Sequence, residues 1–106
     1  MREIEYLVYL SPEMEDRLRV SALQEQGSIL GFVVQYEAFL KGEWRPIVRY
    51  DTAHGFSHRD RIRPSGVMEK QPLFFDSYNL ALTHASLDLK ANWASYRDAY
   101  EQEMKE

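Results

Sequence analysis

The sequence predicts an α+β fold: an antiparallel β-meander of four to five strands with one long C-terminal helix packed on its apolar face. Three observations predict it. From Ser28 to Leu40 the even positions Leu30, Phe32, Val34, Tyr36, Ala38 and Leu40 are all apolar, whereas Gln35 and Glu37 take odd positions. That period of two marks a half-buried strand. From Tyr78 onward, Leu82, Ala85, Leu89, Trp93, Tyr96, Tyr100 and Met104 recur at intervals of three or four, drawing one helical stripe. Between these elements, turn residues at Lys41-Gly42-Glu43 and Pro64-Ser65-Gly66 cut the chain into short segments.

Taken in order, Glu3 to Leu10 is β-prone and forms either a strand or, within residues 1–16, an arm. Arg17 to Glu25 alternates through Leu18, Val20 and Ala22. A helix starting at Ser11-Pro12-Glu13 competes here, but period two favours a strand. Gln26-Gly27 turns the chain into the long strand. In Trp44 to Asp51, Trp44, Val48 and Tyr50 share one face and Arg45, Arg49 and Asp51 the other, with Ile47 out of phase. A three-residue loop, Lys41-Gly42-Glu43, would pair Leu40 with Trp44, Tyr36 with Val48 and Val34 with Tyr50, apolar against apolar. Phe56 to Ile62 and Val67 to Lys70 read as two short strands. Asp76 or Ser77 can cap the helix, which at ~1.5 Å per residue spans about 40 Å. Asp88, Lys90, Asn92 and Arg97 fall largely off its apolar stripe.

A chain of 106 residues with 44% hydrophobic and 28% charged residues is expected to form one globular domain. The absence of cysteine excludes a disulfide scaffold, a thiolate zinc site and a cysteine nucleophile, and it fits a reducing cytoplasm. The N-terminus lacks signal-peptide character, and no apolar run approaches the ~20 residues that cross a bilayer, so no membrane partner is expected. A net charge of -4 argues against a broad basic surface for nucleic acid, while leaving room for a local basic patch.

Arg49 to Asp60 concentrates the reactive residue types. With His54-Gly55 as a two-residue turn, Ala53 pairs with Phe56, Asp51 with His58 and Arg49 with Asp60. Asp51, His58, Arg49 and Asp60 then share the face opposite the helix, beside Gln35 and Glu37. A carboxylate beside an imidazole fixes its tautomer, which suits general acid–base work. Arg49 or Arg59 could neutralise a phosphate. The candidate catalytic residues are therefore His58, His54, Asp51, Arg49, Asp60 and Arg59. Two other readings stand beside this one. The cluster can be a structural ion-pair ladder, at roughly 0.2–1 kcal/mol per pair. Asp51, His54, His58 and Asp60 can also be metal ligands, although their spacing matches no strong zinc motif. A register shift of one residue would turn His58 to the helix side. His84 reads as a surface histidine. Gly42, Gly55 and Gly66 read as turn residues, so no phosphate-cradling loop and no cofactor is expected. Tyr100 and Met104 are expected to overhang the sheet and meet a second subunit.

Phe32 to Glu37, with Trp44 to Asp60 after it, resembles a family of small uncharacterised prokaryotic proteins. In these a strand ends in Arg-Tyr-Asp-x-Ala-His-Gly-Phe and His-Arg-Asp follows. The likeness runs through Asp76 and the closing helix and implies no activity. A more distant likeness, at Arg49, Tyr50, Asp51, Ala53, His54 and His58, is to TumE-type toxins of toxin–antitoxin pairs. It implies a ribonuclease-like role, with RNA as a partner under that reading alone; the doubled histidines of that group are missing here. The leading expectation is a small intracellular module without catalysis, acting through a homodimer or another protein partner. The toxin-like nuclease and the metal-binding domain are the alternatives.

Overall fold

The computed structural model describes residues 1–105. Its elements are β1 (Arg2–Tyr9), β2 (Asp16–Glu25), β3 (Ser28–Leu40), β4 (Glu43–Asp51), β5 (His58–Ile62), β6 (Met68–Pro72) and α1 (Tyr78–Met104). The strands pair antiparallel in chain order as a six-stranded sheet, and α1 lies across β3 and β4. The expected α+β architecture holds, with more strands than the four to five expected. The first segment is a sheet strand along its whole length, not an arm. No helix forms at Ser11: the Ser11 hydroxyl accepts from the Glu15 amide at 3.2 Å in a tight turn leading into β2.

The core lies between the sheet and α1. Leu18, Val20, Phe32, Val34, Tyr36, Val48 and Tyr50 from the sheet meet Ala81, Ala85, Leu89 and Tyr100 from the helix. Ser77 caps the helix, its hydroxyl accepting from the Leu80 amide at 3.2 Å. The predicted stripe from Tyr78 to Met104 is the buried face throughout. Tyr100 is therefore inside the core and Met104 packs against it, so neither overhangs the sheet as expected.

Two expectations fail at β-bulges. Leu30 lies at an irregularity opposite Leu23 and Gln24; it turns out to solvent while Ile29 packs inward. The β3–β4 connection is the two-residue turn Lys41-Gly42, with φ of 52° and 81°, both in the left-handed region. Such a turn matches the twist of a hairpin, and glycine enters it without a Cβ penalty. Leu40 then pairs with Glu43 and Phe39 with Trp44. A bulge at Ile47 restores the expected pairs Tyr36–Val48 and Val34–Tyr50. The inserted residue explains why Ile47 is out of phase yet buried. It also moves Trp44 to the polar face, where its ring lies 5.4 Å from Phe39 and carries the Arg17 guanidinium at 3.8 Å.

Candidate functional site

Residues directly opposite in antiparallel strands share a face. Two rows therefore cross the sheet on the side away from α1: Ser21, Val33, Asp51, His58 and Pro72, and beside it Arg19, Gln35, Arg49, Asp60 and Lys70. The expected pairs Asp51–His58 and Arg49–Asp60 are both present. The connection between them differs from the expected two-residue turn. Residues 52–57 form a longer loop around a 3-10 turn at Ala53–Gly55, with Gly55 at φ 82°. That loop folds back over the sheet. The His54 ring stacks near the His58 ring at 6.2 Å, and the Phe56 ring lies 5.5 Å from it. On a face with no helix, this cover leaves His58 only 1% exposed.

Below the loop, His58 Nε2 lies 2.7 Å from Asp51 Oδ1 and 3.6 Å from Asp60 Oδ2. Asp51 is 7% exposed and Asp60 4%. Asp51 Oδ1 also accepts the Ala53 amide at 3.1 Å, which ties the loop to the cluster. Within the cluster His58 Nδ1 and Asp60 Oδ1 have no hydrogen-bond partner; on the other side of the sheet Arg59 Nε is likewise unpartnered. Beside Asp51 runs an open groove of about 400 Å³ lined by Glu3, Glu5, Ser21, Gly31, Val33 and Thr52 among others.

The remaining predicted residues separate from this cluster. Arg49 lies in the adjacent row, and its Nε donates to Gln35 Oε1 at 2.8 Å. Gln35 in turn donates to Glu37 at 2.6 Å, and Arg17 and Arg19 donate to the same carboxylate at 2.8 and 3.2 Å. Burial alone would raise the Glu37 pKa; the hydrogen bonds from Arg17, Gln35 and Arg19 outweigh it and hold the carboxyl below its ordinary range. His54 sits exposed on the loop. Arg59 pairs with Tyr50 and therefore lies on the helix side of the sheet. There it donates to the Tyr96 hydroxyl at 3.0 Å and to Gln71 at 2.6 Å. Arg59 and Arg49 thus cannot clamp one phosphate together.

Sequence reasoning missed the polar links between α1 and the sheet. The hydroxyls of Tyr50 and Tyr96 donate to Asp88 Oδ2 at 2.6 and 2.7 Å, and Asn92 donates to Oδ1 at 2.8 Å. Burial would raise Asp88, but these three donors hold it below its ordinary range. Burial and the bond to Asp88 push the Tyr50 phenol well upward. A second link joins the Tyr36 hydroxyl to Asp16 at 2.5 Å, with Arg97 Nη1 donating to both oxygens of the same carboxylate at 2.9 Å. The i, i+4, i+8 spacing of Asp88, Asn92 and Tyr96 was the available signal.

These features define a small α+β protein with a buried acid–histidine–acid cluster on its open sheet face. The chain belongs to the family described as Domain of unknown function (DUF7718), whose model matches residues 1–106. No match to the chain was found among curated proteins or among solved structures. No helix among the described residues is long and apolar enough to cross a membrane.

Proposed function

We propose that this chain is a small intracellular module without catalysis of its own, which pairs with a second copy through the outward face of α1. One observation carries this reading. The first half of α1 is apolar on two opposite sides. Its inner stripe faces the sheet, while Leu80, Leu87, Ala91 and Ala94 follow along the outer side, with His84 between them at the flank, its ring 5.9 Å from Tyr50 and 5.1 Å from Phe75. That is the spacing of a helix–helix seam. Leu87 is 64% exposed, Leu80 52%, and Phe74 at the foot of the helix 92%. A seam of this kind is self-complementary about a two-fold axis. Antiparallel pairing sets Leu87 of each copy against the small Ala91 of the other, and His84 against Ala94, while Leu80 meets Asp98 at the polar end of the seam.

The sheet edges favour helix pairing over strand addition. Glu3 and Glu5 line β1, and Glu69, Lys70 and Pro72 line β6, all features that discourage edge-to-edge contact. A toxin-like ribonuclease has less support: His58 is sealed from solvent, the groove beside Asp51 carries Glu3 and Glu5, and Arg59 lies across the sheet. Size-exclusion chromatography with light scattering tests the proposal. The wild type is expected at twice the chain mass, and Leu80→Glu with Leu87→Glu at the monomer mass with unchanged circular dichroism. A wild type that stays monomeric at high concentration overturns it.

A further inference from the structure

We propose that Asp51, His58 and Asp60 bind a divalent first-row transition ion of the Zn²⁺ or Mn²⁺ class. Each residue offers one ligand atom, and these atoms all lie within 4.8 Å of one another. A tetrahedral ion with ligands about 2.1 Å away sets its ligand atoms roughly 3.4 Å apart. The separation of 3.6 Å between His58 Nε2 and Asp60 Oδ2 already fits, while Asp51 Oδ1 at 2.7 Å needs only to draw back. One imidazole with two carboxylates is a borderline-hard donor set, suited to these ions and poorly matched to soft ones.

The independent observation is the orphaned carboxylate oxygen. Asp60 is almost wholly buried with Oδ2 3.6 Å from His58 Nε2, yet its other oxygen, Oδ1, has no hydrogen-bond partner, and neither has His58 Nδ1. It lies between Arg49 and Lys70 in register, and neither takes that oxygen. A purely structural ion triad would use it; two clustered buried carboxylates with spare lone pairs are instead what a cation satisfies. The Ala53 amide donates to the same Asp51 Oδ1, which fixes that oxygen toward the cluster. The acidic groove past Glu3 and Glu5 reaches the cluster at Asp51. His54 lies outside the set, although its position in the sequence suggested a fourth ligand.

The full chain, freed of metal with a chelator, is titrated with ZnCl₂ and MnCl₂ by calorimetry and followed by thermal unfolding. One ion per chain is expected, and Zn²⁺ at about one hundred times its Kd raises the Tm by roughly 10 °C. Asp51→Asn and Asp60→Asn each weaken binding at least about tenfold, whereas His54→Ala leaves it unchanged. The readout that needs no variant is the His58 ring nitrogen in the wild type, whose NMR signal moves on Zn²⁺ addition while that of His54 stays. Absence of binding up to about 1 mM of either ion overturns the proposal. So does binding that survives both asparagine variants, or that moves His54 or His84 in place of His58.

Discussion

His58 and His54 lie four positions apart in the chain, and their environments predict opposite responses to mutation. His58 is enclosed between Asp51 and Asp60; truncating it leaves two buried carboxylates with only the Ala53 amide on Asp51. His58→Ala is expected to cost about 3–5 kcal/mol in urea unfolding, and His54→Ala within about 0.5 kcal/mol. Equal losses would show that the loop does not seal the cluster. Glu37 sets a pH dependence. Its folded pKa lies below the ordinary 4.5, so the folded state binds fewer protons there than the unfolded chain. The stability it contributes is complete above that ordinary value and is lost as pH falls through the depressed one. Asp88 acts in the same direction from an ordinary value of 3.8. The urea midpoint is therefore expected to fall with acidification below about pH 4.5, and Glu37→Gln to flatten the fall.

At the scale of elements, α1 is positioned by Asp88 as well as by apolar packing. Asp88→Ala removes the acceptor of two partly buried tyrosine hydroxyls and is expected to cost about 2–3 kcal/mol. Asp98→Ala on the exposed side should stay within about 0.5 kcal/mol, as equilibrium denaturation can show. The inner helix stripe and the long strand were legible because each repeats its period many times over, and burial follows period. Three features broke that logic. The bulge at Ile47 shifts phase in mid-strand, so Trp44 read as core and lies on the polar face. The loop over His58 needed no signature beyond His54 and Gly55, and its length follows from pairing that ends at Asp51. The Tyr50–Asp88 and Tyr36–Asp16 bonds join residues 38 and 20 positions apart, a separation no local pattern reports, whereas the Asn92 and Tyr96 bonds to Asp88 follow the helical spacing. The Asp51–His58 and Arg49–Asp60 pairs were readable because alternation fixes parity even when the turn is misjudged. Arg59, next to Asp60 in the strand, lies on the opposite side, because adjacent residues in a strand face opposite sides.

For the whole molecule, one helix covers one side of a six-stranded sheet, so both the far sheet face and the outer side of the helix remain open. The far face is charged and braced by its own ion pairs. The outer helix side is apolar at Leu80 and Leu87, and this difference is what favours the proposed pairing through the helix and the proposed ion on the sheet face. The chain contains no cysteine, so Lys90→Cys introduces a unique attachment point beside the seam. Paired helices lie about 8–10 Å apart. Double electron–electron resonance on the nitroxide-labelled protein is expected to give an inter-copy distance below about 30 Å, and Leu87→Glu in the same chain to abolish it. A trace showing only the uniform background of isolated spins, at concentrations where the unlabelled protein remains folded, would contradict pairing through α1.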